Sequence, residues 1–210
     1  MSKPLFVEEI KALDGQYFNL EGHAIRIDRT VRYFFHKPFI QSTLRRQLPD
    51  PPSKGMHKCT ILYDENIISI GLMPYTIPKI TSLALVAVKN IDFIFKLNDR
   101  HILEKIRLFS KADDAILIQN SFVTNTSNSN LVFEDEDGAF WTPLHYIHSG
   151  TKREFYLKQK KVFTYPIKAA NILLYPKVYV INSMIDIEDN VSLPTREILP
   201  IVDFIPEKKP

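Results

Sequence analysis

The stretch that decides the reading runs Phe93-Ile-Phe-Lys-Leu-Asn-Asp-Arg100, then Ala115-Ile-Leu-Ile-Gln119, then Thr124-Asn-Thr-Ser-Asn-Ser-Asn130 into Leu131-Val-Phe133. Between the first two pieces, His101–Phe109 has apolar residues at 102, 103, 106 and 109, the spacing of a helix face. The second piece is a short apolar run that predicts a strand, and the third reads as a polar loop feeding another strand. Lys96 follows three largely apolar residues. A charged amine is costly to bury there unless it finds a partner or loses its proton. Lys96 is therefore a candidate nucleophile, or else a strand cap that snorkels its amine to water.

Working outward, 210 residues suffice for one large domain or two small ones. Hydrophobic residues at 45% and charged residues at 24% are those of a folded soluble chain. A net charge of +3 without a basic stripe argues against nucleic acid as a partner. The basic clusters Lys158-Gln-Lys-Lys161 and Glu207-Lys-Lys209 read as solvated faces. Cys59 is the single cysteine, so no internal disulfide forms, and its Thr-Ile-Leu neighbourhood makes it a small buried hydrophobe. No leader and no membrane-length apolar run is evident, so a reduced, cytoplasmic protein without membrane partners is expected. With 6 glycines against 14 prolines and no G-x-G-x-x-G or Walker pattern, a glycine-rich phosphate loop is not expected.

N-terminal to the deciding stretch, Leu5–Ile10 predicts a strand and Asp14-Gly15 a turn. Tyr17-Phe-Asn-Leu20 then reads as the returning strand. Residues 21–35 switch to helical spacing, with His23 and Arg26 on one face. Residues 36–56 are rich in proline and predict irregular structure. His57–Tyr63 and Ile67–Leu72 predict an antiparallel hairpin, and Pro74–Thr81 a linker. After it, Leu83–Val88 reads as a buried strand. Ile91–Phe95 is a second strand or a helix entry. Asp113–Trp141 is a meander closed by Thr142-Pro143, Glu154–Lys161 a helix opened by Gly150-Thr-Lys-Arg153, and Val162–Tyr165 and Val178–Ile181 are strands. The expected class is α+β, with largely antiparallel sheets in two α/β units, residues 1–80 and 83–210.

The six histidines lack metal-ligand spacing, and no G-x-S-x-G supports a serine hydrolase. Two small-residue turns remain, Ser149-Gly150-Thr151 and Asn182-Ser183-Met184. Backbone N–H groups in such turns can hold a phosphate, especially at a helix N-terminus, although each also reads as a plain helix start or strand end.

In their order, these pieces resemble the class IV aminotransferase family, the pyridoxal-phosphate enzymes of fold type IV. The resemblance begins with Val7-Glu-Glu-Ile10, similar to the family's F-E-T-I strand. It continues through Asp14-Gly15, Leu20 and His23-Ala-Ile-Arg26, similar to H-x-x-R-L. It then takes in Lys96, Asp114–Ile118, Asn130-Leu131, Thr142-Pro143, Gly150-Thr-Lys-Arg153 and Asn182-Ser-Met184. It spans most of residues 7–185 and implies the fold of the D-amino-acid aminotransferases.

The resemblance implies pyridoxal 5′-phosphate as cofactor and Lys96 as the lysine that bonds it covalently and later acts as general base. It implies that Arg26 holds the phosphate, whose geometry suits a guanidinium fork. Thr151 and Lys152 match one phosphate-side turn and Ser183 or Met184 the other, while His148 stands where the family commonly places a leucine against the cofactor ring. Asn125 stands where the family has an acid for the pyridine nitrogen. An amide can hydrogen-bond that nitrogen but does not stabilise its protonated form as a carboxylate does. The implied activity is amino transfer from a branched-chain or D-amino acid, or elimination of pyruvate as in aminodeoxychorismate lyase. A cofactor-binding relative with weakened catalysis is the other alternative. A small amino substrate and a homodimer are the implied partners.

Overall fold

Alternation along Phe6–Leu13 (β1), interrupted where Lys11 is buried beside Ile10 and Ala12, sets up the first of two compact units. Phe6, Glu8, Ile10 and Ala12 turn to the buried side of the sheet, and Val7 and Glu9 lie half-buried on the other. In the computed structural model, which describes residues 3–205, this unit comprises Met1–Pro78 with Phe95–Asp99. Gln16–Tyr17 (β2) turns back from β1, and Leu20–Phe35 (α1) follows at once. The sequence reading of a strand through Leu20 is thus corrected. The helix takes Leu20 as its first residue, and β2 is only two residues long.

The α1 helix buries His23, Ala24, Ile27, Thr30 and Val31 at i, i+3/i+4 spacing, so one stripe faces β1. The proline-rich segment is not wholly irregular. Gln41–Gln47 (α2) forms between Pro38 and Pro49, where no proline interrupts it. Met56–Tyr63 (β3) and Ile67–Pro74 (β4) form the expected hairpin, completing an antiparallel sheet of order β2-β1-β3-β4. Phe6, Ile10, Ile27, Ile61 and Tyr63 are essentially solvent-free and form its core, with Cys59 buried among them. Burying each such side chain is worth about 1.5–3 kcal/mol.

The brevity of β2 has a structural consequence. It pairs only with Ala12 and Leu13, which leaves the first half of that β1 edge without a strand. Residues 95–99 fill it. Val7 N–H donates to Lys96 O at 3.0 Å, Asn98 N–H to Leu5 O at 2.8 Å, and Phe6 bridges Leu97. The sequence reading put this segment in the second unit, but it packs with the first.

The second unit comprises Lys79–Ile94 with Arg100–Pro210. Its elements are Leu83–Ala87 (β5), His101–Ser110 (α3), Asp114–Gln119 (β6), Phe122–Thr126 (β7), Asn130–Glu134 (β8) and Phe140–Pro143 (β9). Then come Thr151–Lys158 (α4), Phe163–Tyr165 (β10), Lys177–Ile181 (β11), Ser192–Pro194 (β12) and Leu199–Asp203 (β13). The expected strand or helix at Ile91–Phe95 is irregular chain instead. The Glu207-Lys208-Lys209 cluster lies outside the described residues.

Two sheets result, of orders β13-β5-β6-β7 and β10-β9-β8-β11-β12. The second is antiparallel except for β10 with β9. The first departs from the antiparallel expectation, because β13 and β6 both run parallel to β5. The β5–β6 pair is parallel because α3 carries the chain back between them. Ile116, Ile118 and Val123 from one sheet meet Leu131, Phe133, Val178 and Val180 from the other in a shared core. Asn120 and Ser121, both at positive φ, make the tight turn between β6 and β7.

Candidate active site

In the first unit the candidate groups surround β1. Glu8 lies beneath α1 and is fully buried. Arg26 donates to it through Nε at 2.7 Å and Nη2 at 2.6 Å, a bidentate fork, and His23 Nδ1 lies 2.6 Å away. Burial opposes charge on Glu8, but Arg26 and then His23 overcome it and hold the carboxyl below the usual carboxylate range. Burial lowers the His23 pKa, with Glu8 opposing, so the neutral ring donates from Nδ1. The fork fixes the plane of the Arg26 guanidinium. A buried cation of this kind needs such a partner to stay charged.

Lys96 is 9% exposed, and its Nζ lies 2.8 Å from Glu9 Oε2. Lys58 Nζ reaches the other oxygen of Glu9 at 3.0 Å. Chiefly through the Lys96 charge, Glu9 is held down at about 2. Lys96 is thus a partnered buried amine and not a snorkelling strand cap. Glu9 escaped the sequence reading, although the signal was present. Adjacent glutamates on an alternating strand place one carboxylate on each face.

In the second unit the polar stretch 124–130 is not an exposed loop. Thr124, Asn125 and Thr126 belong to β7, and Thr124–Ser127, Ser129 and Asn130 are all buried. The stretch buries itself because it satisfies its own polar groups. Thr124 Oγ1 donates to Leu117 O at 2.7 Å, and Thr126 N–H to Ser129 O at 2.8 Å. Ser127 Oγ donates to Asp114, whose carboxyl burial pushes up.

Asn125 spans one peptide. Its Oδ1 accepts from Ile147 N–H at 2.8 Å and His148 N–H at 3.3 Å, and its Nδ2 donates to His148 O at 2.8 Å. Asn130 Nδ2 donates to the same carbonyl at 3.0 Å. The His148 ring is held by a hydrogen bond from Nδ1 to Phe93 O at 2.9 Å. Two asparagines therefore brace the segment leading into α4.

Gly150 is the N-cap of α4 and offers no side chain to the first-turn N–H groups. Thr151 and Lys152 are buried in that turn, and Lys152 pairs with Asp186. Arg153, also buried, donates from Nη2 to Pro143 O at 3.0 Å, while its Nε has no hydrogen-bond partner among the described residues. The second small-residue turn closes on Asn182, whose Oδ1 accepts from Met184 N–H at 2.8 Å and Ile185 N–H at 3.1 Å. Its Nδ2 donates to Ser129 Oγ at 3.0 Å. Met184 is buried and Ser183 half-buried. The structure thus links Asn125, His148 and the Ser183-Met184 turn through the buried polar stretch, with Thr151 in the α4 turn that follows His148. It places Lys96 with Glu9, and Arg26 with Glu8.

Comparison with known proteins places this architecture. No family model matches the chain. An uncharacterized protein of Haemophilus influenzae is 26% identical over 189 residues, covering 86% of this chain and 97% of that one. Among solved structures, a protein of Haemophilus somnus 129pt provisionally named 4-amino-4-deoxychorismate lyase aligns with a TM-score of 0.79 at 24% identity, over 88% of this chain and 98% of that one. A hypothetical aminotransferase from Mycobacterium tuberculosis, in its PLP-bound form, aligns at 0.70 and 13% identity, over 86% and 78% of the two chains. The branched-chain amino acid aminotransferase of Escherichia coli aligns at 0.67 and 14% identity, over 93% and 77%. The chain has the class IV aminotransferase-like fold, as its motif order implies.

Proposed function

We propose that the protein is a pyridoxal-phosphate-dependent enzyme of the class IV aminotransferase type, acting on a small amino substrate through Lys96. The observation that carries this reading is the Lys96 amine, 9% exposed and held at 2.8 Å by an acid, in a chain of this fold. An amine so placed has lost most of its water, and a lysine of that kind is suited to nucleophilic and general-base work.

The chemistry of the donor groups fits the cofactor at its phosphate and aldehyde ends. Arg26 supplies an oriented guanidinium, and α4 begins on Gly150, whose lack of a side chain leaves room at the first-turn backbone N–H groups. Thr151 adds a hydroxyl, and Ser183 of the second turn another. When bound, pyridoxal 5′-phosphate offers an aldehyde to an amine and a conjugated ring that draws electrons from a substrate α-carbon. Lys96 is the residue proposed to take and return the α-proton. Arg26 in the first unit and the α4 turn in the second are each proposed as phosphate-binding groups.

The fit is poorest at the pyridine nitrogen. Asn125 is an amide, and its oxygen and nitrogen are both engaged with residues 147–148. A ring without an acid partner withdraws electrons less strongly. That favours expulsion of a leaving group over a full amino transfer, because less charge must settle into the ring. Pyruvate elimination of the 4-amino-4-deoxychorismate lyase type is therefore the first choice, with the fold likeness to the Haemophilus somnus protein in the same direction. Amino transfer is the second, on the likeness to the aminotransferases.

Mixing the protein with pyridoxal 5′-phosphate is expected to give a yellow complex, and Lys96→Ala to abolish it. Pyruvate release from 4-amino-4-deoxychorismate, set beside a panel of L- and D-amino acids, chooses between the reactions. A protein that takes up no cofactor would overturn the proposal. Among the described residues no helix is long and apolar enough to cross a membrane. A cytoplasmic homodimer completes the proposal.

A further inference from the structure

Lys96 shares its partner. One carboxylate, Glu9, bridges two amines: Lys96 Nζ at 2.8 Å from Oε2 and Lys58 Nζ at 3.0 Å from Oε1. The two are not equivalent. The Lys58 side chain is 34% exposed and sits over the Tyr75 ring, whereas Lys96 is 9% exposed. The Lys96 backbone is itself fixed, because its carbonyl accepts from Val7 N–H. Glu9 and its lysine therefore hang from adjacent, hydrogen-bonded segments, and their contact does not depend on a mobile loop.

Lys11 lies two residues along β1 and opposite Lys58 in the sheet register. From α1, His23 interacts electrostatically with Lys96, and Arg26 with Glu9. Tyr75, just beyond β4, also interacts with Glu9. Among these named neighbours Glu9 is the anion, and its carboxylate at 2.8 Å favours a proton on Lys96.

We propose that Glu9 is a positioning residue for Lys96: it aims the amine and retains its proton, and so sets the pH at which Lys96 becomes nucleophilic. The proposal rests on the reading of Lys96 as the reactive lysine. An amine attacks a carbonyl only in its neutral form, and a carboxylate within hydrogen-bond distance favours the charged one. Lys58 competes for the same carboxylate and moderates that hold. Glu9→Gln keeps the shape of the side chain and removes its charge.

The test measures Lys96 directly and needs no turnover. The cofactor-free, full-length protein is treated with trace acetic anhydride from about pH 6 to about pH 11, a span that brackets ordinary lysine titration. Acetylation of the Lys96 peptide is read by mass spectrometry. In Glu9→Gln the midpoint is expected to fall by about one unit, with about tenfold more label at neutral pH. Glu9→Asp, with a shorter arm, is expected to shift it less in the same direction and serves if the Gln variant does not fold. Lys58→Met is expected to move the midpoint upward. A Lys96 midpoint unchanged in the Glu9 variants overturns the proposal. The cofactor reading fails separately: a wild type that stays colourless with pyridoxal 5′-phosphate, beside a shifted midpoint, removes that reading and leaves the Glu9 hold in place.

Discussion

Asn125 is the residue whose surroundings most change its meaning. Its sequence position suggests a weak substitute for an acid, and its contacts make it a clamp on the 147–148 peptide. A carboxylate there would set a negative charge against the His148 carbonyl and lose the Nδ2 donation. Asn125→Asp is therefore expected to destabilise the fold by about 1–3 kcal/mol, the cost of leaving a buried polar group unsatisfied. Urea denaturation measures it, and an Asp variant as stable as the wild type would remove the clamp. At this scale the sequence was partly legible. The order of motifs singled out Lys96 and Arg26. Their partners, Glu9 and Glu8, were not assigned, because the strand pattern puts the two carboxylates on opposite faces without saying what packs against each face.

At the scale of elements, the contact between α1 and β1 carries a pH dependence. Burial holds the His23 pKa below its ordinary value of 6.5, and Arg26 and His23 hold Glu8 below its ordinary 4.5 despite burial. At both groups the unfolded chain binds protons that the folded chain refuses. Stability then rises with pH. The contribution is complete above about pH 7 and is lost on acidification, first through the His23 range and then through that of Glu8. The urea midpoint is expected to fall steadily from neutral to about pH 4, and a flat profile would contradict the α1–β1 cluster as described.

The entry to α4 gives a second test of an element. A Cβ on Gly150 would stand 2.0 Å from Asn130 Oδ1, on an amide that is held by its Nδ2 donating to the His148 carbonyl. Gly150→Ala is expected to cost about 1–3 kcal/mol through overpacking, measured by thermal or chemical denaturation. The elements themselves were well legible where periodicity was strong, as in α1, α3 and the β3–β4 hairpin. The exceptions have physical reasons. Helix initiation at Leu20 cut β2 short, and the α2 segment was masked by flanking prolines. The polar run 124–130 could be buried because its side chains find partners on residues 114, 117 and 147–148, a tertiary outcome that composition does not reveal.

For the whole molecule, the sequence pattern changes near Leu83, and contacts divide the chain between Pro78 and Lys79. The return of residues 95–99 to the first unit was not visible in the sequence, since it depends on an edge of β1 that β2 is too short to cover. That return sets Lys96 beside Glu9. A homodimer is expected in solution, so light scattering should give twice the chain mass of 24.4 kDa. A monomer would contradict this part of the proposal. The central claim is that Lys96 is the carbonyl-reactive lysine of a pyridoxal-phosphate enzyme. Borohydride reduction of the protein mixed with pyridoxal 5′-phosphate, followed by peptide mapping, addresses it most directly. A single phosphopyridoxyl adduct on the peptide containing Lys96 is the expected result, and no adduct, or an adduct on another lysine, would contradict it.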